Sequence, residues 1–232
     1  MLEKLKEIVC EENIRLYKSG LVVLTWGNVS GFDEESGLVV IKPSGVDYGR
    51  MKPEDMVVVS LDGAVVEGNL RPSSDTPTHL EIYKNFKGVR GVAHTHSVEA
   101  VAYAQAMRDI PCYGTTHADL FYGSVPCTRL LTENEVRDAY EENTGRVIVE
   151  AFQSRDPIAC PAALVAGHGP FTWGRSPRAA VDAAITLEAV AQMARLTEQV
   201  KSDVHELPNY VATKHYLRKH GAHAYYGQKH SN

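Results

Sequence analysis

The sequence predicts an α/β chain in which one sheet is covered by helices, and three observations carry that prediction. Apolar runs of strand length, such as "LVVI" and "MVVVS", alternate with segments whose apolar residues recur at helical spacing. The strand-like runs end in or lead into small polar residues, whereas helical segments open on capping residues. No Pro/Gly/Ser-rich linker, charge block, repeat or composition break divides the 232 residues, so a single domain over 1–232 is expected.

The chain opens with an apolar stripe of Leu2, Leu5, Val9 and Leu16 that stops at Gly20, which predicts an amphipathic helix. "LVVLTWGNVSG" then reads as a strand running into a turn, and "LVVIKPSG" repeats that form. "DMVVVSLDGAVVEG" has the pattern of a hairpin around Asp62-Gly63. In "SSDTPTHLEIYKNF", Thr76 is a candidate cap and Pro77 suits the first helical position, where its missing N–H costs nothing. "GVRGVAHTHS" predicts a strand, with Ser97 placed to cap an Ala/Val-rich helix, and Thr132 with Glu135 has capping-box spacing. "AALVAGHGPFTWG" reads as an apolar strand ending at a glycine-flanked histidine. The clearest helix is "SPRAAVDAAITLEAVAQMARLTEQV", starting at Ser176 and Pro177.

Bulk properties exclude several classes. A formal net charge of −5 argues against broad phosphate neutralisation, so nucleic acid is not an expected partner. Cys10, Cys112, Cys127 and Cys160 are scattered without a CxxC pair, which indicates neither a zinc ribbon nor a disulfide scaffold and fits a reducing cytosol. The N-terminus is studded with charges and lacks a signal-peptide core, and no later apolar run is long enough for a bilayer. A cytoplasmic protein with no membrane partner is therefore expected.

Three groups of residues can carry chemistry. His94 and His96 in "GVAHTHS" are two apart, so on a strand they point to one face; they are either half of a metal site or the polar end of an ordinary strand. His168 in "GHG" and Asp75 in "PSSD" carry the same ambiguity, the second being also a candidate helix cap. Together, three imidazoles and a carboxylate would suit zinc, with one position left for substrate. Gly27-Asn28, Ser44-Gly45 and Ser73-Ser74, with Lys42 nearby, read either as structural turns or as an anion cradle. Neither GxxxxGK[ST] nor GxGxxG is present, which excludes the usual nucleotide loops. The C-terminal "KHYLRKHGAHAYYGQKHSN" is best read as a helix and tail, and its Tyr225-Tyr226 pair asks for a cover such as a neighbouring subunit.

"LTWGNVS", "IKPSGVDY", "PSSDTPTH", "HTHS", "GTTHADLFYG", "GHGPF" and "KHYLRKHGAHAYYGQ" together resemble the class II aldolase/adducin family, in register from Leu2 to Gln228. Within it they resemble the branch that epimerises pentulose 5-phosphates. The resemblance implies a three-layer α/β/α fold with a largely antiparallel central sheet, and a C4 homotetramer with active sites at subunit contacts. It implies zinc held by Asp75, His94, His96 and His168, and a substrate-phosphate pocket of Gly27, Asn28, Ser44, Gly45, Ser73 and Ser74 with Lys42. Asp119 corresponds to one catalytic acid/base and Tyr226, delivered from the adjacent subunit, to the other; Glu141 and His215 match positions near the site. The implied reaction interconverts L-ribulose 5-phosphate and D-xylulose 5-phosphate by retro-aldol cleavage and re-addition. A family aldolase acting on L-fuculose 1-phosphate carries Glu at the position of Asp75, and a non-catalytic module like the adducin head has lost the zinc ligands. Both features of this chain favour the epimerase reading.

Overall fold

The computed structural model describes residues 2–226. Seven strands form one sheet: β1 (Gly27–Asp33), β2 (Leu38–Ile41), β3 (Val57–Ser60), β4 (Val65–Glu67), β5 (Gly91–Thr95), β6 (Ala162–Val165) and β7 (Gly169–Gly174). Their order is β4-β3-β2-β1-β5-β7-β6, and every neighbouring pair is antiparallel. Seven helices accompany them: α1 (Glu3–Lys18), α2 (Thr76–Asn85), α3 (Val98–Gln105), α4 (Thr115–Ala118), α5 (Glu133–Ala151), α6 (Pro177–Val200) and α7 (Asn209–His220).

Period-two alternation sorts the strand side chains between two apolar layers. Val40 and Val58 pack with Val9 of α1, while Val29 and Ala93 pack with Leu16 of α1 and with Ala180 and Ala184 of α6. On the other face Val39, Ile41, Val57, Val59 and Val92 pack with Ile82 of α2 and Ile148 of α5. Helices therefore cover both faces, giving the α/β/α layering. Each valine fully buried in this way contributes roughly 1.5–3 kcal/mol over leaving it exposed. The start of α6 lies hard against the sheet: a Cβ on Gly91 would stand 2.3 Å from the Ser176 carbonyl.

Several local expectations are met in detail. The hairpin around Asp62-Gly63 joins β3 to β4. Thr132 and Glu135 form a reciprocal capping box at α5, and the Ser176 side chain accepts from the Ala179 N–H at the start of α6. Others need correction. The apolar run at residues 21–24 is not a strand. Val23 to Trp26 instead form a closed turn, the Trp26 N–H donating to the Val23 carbonyl at 2.9 Å, with Val23 and Leu24 45% and 71% exposed, and β1 begins only at Gly27. "AALVAGHGPFTWG" is two strands, β6 and β7, because Gly167 adopts φ +71° and turns the chain back, so His168 sits in a hairpin turn. Thr76 is the first residue of α2 rather than its cap, with its hydroxyl donating to the Ser73 carbonyl at 2.6 Å. Ser97 holds the cap position of α3 without a capping bond from its side chain.

Among the described residues, no helix is long and apolar enough to cross a membrane. Gly227 and Gln228, which close the segment of resemblance, and the "KHSN" after them lie outside the described residues.

Candidate active site

Strand register builds the centre of the site. Asn28 on β1 stands opposite His94 on β5, and His94 stands opposite Phe171 on β7. In the next row of the same face, Ser30 opposes Val92 and Val92 opposes Trp173. This is the face covered by α2, whose first turn carries Asp75 at its boundary. His96 follows β5 by one residue, and His168 comes from the β6–β7 turn.

These elements bring three imidazoles together. Ring centroids lie 4.8 Å apart for His94–His96 and for His94–His168, and 5.2 Å apart for His96–His168. One ring nitrogen from each falls within 4.8 Å of the others. His94 Nδ1 lies 2.9 Å from the Pro170 carbonyl, which can only accept, so Nδ1 carries the proton and Nε2 offers a lone pair. That lone pair faces His96 Nε2 at 3.1 Å. Phe171 stacks on His94 at 4.2 Å between centroids and fixes the ring plane. Burial, reinforced by His94 and His96, pushes the His168 pKa down to about 4, and burial with His94 lowers that of His96. Both His96 and His168 are thereby biased toward the neutral form, the form a metal ligand must take.

Asp75 occupies the cap position of α2 by backbone, but its carboxylate makes no capping bond. Its Oδ2 instead accepts from Asn28 Nδ2 at 2.6 Å. Burial raises its pKa, but the neighbouring His94 and His79 and the Asn28 bond outweigh burial and hold the carboxyl below its ordinary value. An ionised carboxylate beside three imidazoles is a donor set that fits a divalent metal of borderline softness.

The anion-binding candidates line one adjoining cleft of about 320 Å³, which Asp75 and His96 also border. Gly27 and Asn28 come from the start of β1, Lys42, Ser44 and Gly45 from the chain after β2, and Ser73 and Ser74 from the approach to α2. Lys42 is only 2% exposed. Its ammonium donates to the Pro43 carbonyl at 3.1 Å and lies 4.9 Å over the Tyr48 ring, and among the described residues no carboxylate pairs with it. Burial pushes its pKa down to about 8. Gly27 has φ +143°, and a Cβ there would meet Val22 Cγ1 at 2.0 Å and the His94 carbonyl at 3.2 Å, so this position favours glycine. The Tyr48 hydroxyl donates to the Gly27 carbonyl at 2.6 Å and ties this turn to the wall beneath Lys42.

Asp119 and Tyr226 form a second cluster. Arg218 Nη2 contacts both Asp119 carboxylate oxygens, at 2.9 and 2.8 Å; His215 Nδ1 lies 3.0 Å and Lys219 Nζ 3.3 Å from the same carboxylate. Burial raises the Asp119 pKa, but hydrogen bonds from Arg218, His215 and Lys219 prevail and lower it. The Tyr226 ring lies 4.2 Å from Lys219 Nζ and 5.1 Å from the Arg218 guanidinium, and is 62% exposed. Among the described residues no hydrogen bond, ion pair or ring contact joins this cluster to the three histidines. His215 is thus a partner of Asp119, while Glu141 accepts the Thr78 hydroxyl on its backbone carbonyl at 2.5 Å.

The structure adds residues that sequence reasoning missed. Tyr140 Oη lies 3.4 Å from His168 Nδ1 because α5 kinks at Ala139, whose φ of −161° is extended. Trp26 lies edge-on to His96 with centroids 6.4 Å apart. Behind Asp75, the fully buried His79 bonds through Nδ1 to the Ser30 hydroxyl, which also bonds Tyr83, all at 2.7 Å. Burial pushes the His79 pKa down to about 3. The one available signal was the i, i+4 spacing of Asp75 and His79, which places both on one face of the helix start.

Several solved structures share this arrangement of elements. An L-fuculose 1-phosphate aldolase superimposes with a TM-score of 0.79 at 24% identity, covering 93% of this chain and 95% of that one. The L-fuculose-1-phosphate aldolase from Thermus thermophilus gives 0.69 at 27% identity, covering 88% and 99%. The corresponding enzyme from Glaciozyma antarctica gives 0.74 at 19% identity, covering 93% and 81%. The family model "Class II Aldolase and Adducin N-terminal domain" matches residues 7–195, most of the chain. The protein therefore belongs to the class II aldolase/adducin family.

Proposed function

We propose that this protein is a zinc-dependent enzyme that inverts C4 of L-ribulose 5-phosphate to give D-xylulose 5-phosphate. The observation that carries the proposal is adjacency: Asp75 and His96 border the same cleft as Lys42 and the Gly/Ser donors. A phosphorylated ketose needs that pairing, an anion cradle for one end and a cation site for its oxygens.

C4 of the substrate bears no acidic proton, since the C2 carbonyl activates only its own neighbours. Inversion therefore proceeds by breaking the C3–C4 bond, turning the aldehyde and closing the bond on its other face. Asp75, His94, His96 and His168 would hold a divalent cation, which would supply positive charge for oxygens that become anionic. Lys42, Ser44, Ser73 and Ser74 grip the phosphate of the departing aldehyde, which keeps the two halves together for re-addition. Asp119, held ionised by Arg218 and Lys219, accepts the C4 hydroxyl proton on one face, and Tyr226 serves the other face. Because Asp119 and Tyr226 gather around the same two cations, they travel together, and the assembly proposed is a homotetramer in which this pair from one copy serves the histidine cluster of its neighbour.

Asp75 also separates this reading from its rival. In the family aldolases acting on L-fuculose 1-phosphate, a longer Glu at this position can act as base; the shorter carboxylate, bonded to Asn28, is suited to ligation. The structural similarity to such aldolases makes cleavage of that substrate the second reading. Zinc-loaded protein is assayed with L-ribulose 5-phosphate, coupled to detection of D-xylulose 5-phosphate, and with L-fuculose 1-phosphate in parallel. Turnover of the pentulose supports the proposal; cleavage of the deoxyhexulose alone would replace it with the rival.

A further inference from the structure

The Tyr83–Ser30–His79 chain is buried, none of its members lines the cleft, and the reaction proposed above does not use it. Its hydrogens can run in two directions. If His79 Nδ1 donates to Ser30 and Ser30 to Tyr83, the Tyr83 proton is left in the core without an acceptor. If Tyr83 donates to Ser30 and Ser30 to His79 Nδ1, every hydroxyl proton is used. The second direction follows, and it forces the proton of the neutral His79 ring onto Nε2.

That Nε2 is buried and has no partner among the described residues. It lies on the ring edge opposite Ser30. The charged and titratable groups that act on His79 are Asp75, one helical turn earlier on the same face of α2, and His94 from β5. The remaining wall is Phe171, edge-on to His79 at 6.0 Å between centroids and stacked on His94. Among the described residues, only Oδ2 of Asp75 is bonded by a side chain, that of Asn28.

We propose that His79 is a positioning residue for the carboxylate of the metal site: the Tyr83–Ser30 relay locks its Nε2–H tautomer, and this buried donor supports Asp75 as a ligand. The inference rests on the metal-binding reading of Asp75 and the histidines. Outer partners that orient a ligand typically govern metal affinity by about 10–100-fold. The relay performs this task from the core side, where solvent cannot compete.

The test has two arms. In protein labelled with 15N-histidine, ring NMR without metal should show, beside rings such as His117 whose Nε2 faces a carbonyl, a further histidine with a bare Nδ1 and a protonated Nε2 whose signals vanish in His79→Gln and change in Tyr83→Phe. Finding His79 protonated on Nδ1 would overturn the proposal. In the second arm, zinc affinity is measured by chelator competition. His79→Phe should weaken it by about 10–100-fold, while His79→Gln, which keeps an N–H at the ring's far edge, should recover most of the loss. Unchanged affinity in His79→Phe, or Gln no better than Phe, reduces His79 to packing and overturns the idea. Should His79→Phe fail to fold, Tyr83→Phe serves instead, with a smaller loss of affinity expected and no loss counting against the relay. Wild-type protein that binds no zinc would sink the metal reading itself, and the tautomer arm would still decide whether the relay exists.

Discussion

Replacing Lys42 by methionine should make the protein more stable and worse at holding phosphate. Lys42 is 2% exposed and forms no ion pair among the described residues, and burial, only partly offset by Asp47, lowers its pKa from 10.5 to about 8. That fall places a penalty of roughly 3 kcal/mol on the charged form in the folded state. Methionine fills similar space without charge but forfeits the bond to the Pro43 carbonyl and the contact over Tyr48, so a net gain of about 1–3 kcal/mol at pH 7 is expected. For a chain of this size that gain corresponds to a Tm rise of roughly 2–12 °C. Folded Lys42 releases its proton more readily than the unfolded chain does. Wild-type stability should therefore rise as pH climbs from about 8 toward 10.5, and the variant should lack that rise. Removing a charge-assisted hydrogen bond to an anion costs about 1.5–3 kcal/mol, or roughly 10–150-fold in phosphate affinity. Urea denaturation across pH, with phosphate titration by calorimetry, reads both quantities. A destabilised variant with unchanged phosphate binding would refute the reasoning and make Lys42 a structural cation.

Three further outcomes are expected. His96→Asn removes one of the three converging nitrogens at a position beyond β5, so bound zinc per chain should fall sharply, by elemental analysis, with the circular dichroism spectrum unchanged. Tyr226→Phe keeps the ring beside Lys219 and Arg218 and removes only the hydroxyl; metal content should persist while kcat drops by about 10²–10⁴-fold in the coupled assay. Gly91→Ala drives a Cβ to within 2.3 Å of the Ser176 carbonyl, and thermal unfolding should show a loss of at least about 1–3 kcal/mol.

How much of this was legible in the sequence follows from which physical rules are local. Period-two alternation is local, so the shared face of the "HTH" pair was readable, although His96 proved to follow the strand rather than lie on it. Caps are local too, and Thr132 and Ser176 behave as their spacing requires. Cross-strand register is not. Nothing near Asn28 announces that it faces His94 across the β1–β5 ladder or that its amide holds Asp75. The same limit hid Tyr140, which reaches His168 through a backbone break at Ala139 that no residue type signals. The segment at residues 21–24 misled in the opposite sense, because its apolar run reads as a strand although Leu24 takes φ +53° and the chain turns back at Val23–Trp26. At the functional level, motifs in register identified the family, while the partition of Asp119 and Tyr226 into a cluster apart from the histidines required three dimensions.

The central claim is that this site inverts C4 by breaking and re-forming C3–C4, and proton NMR of L-ribulose 5-phosphate incubated in D₂O with the zinc-loaded protein tests it most directly. The account predicts D-xylulose 5-phosphate that retains the original hydrogen on C4, because that hydrogen never leaves its carbon. Deuterium at C4, or no C4 epimer from fully zinc-loaded protein, would contradict it.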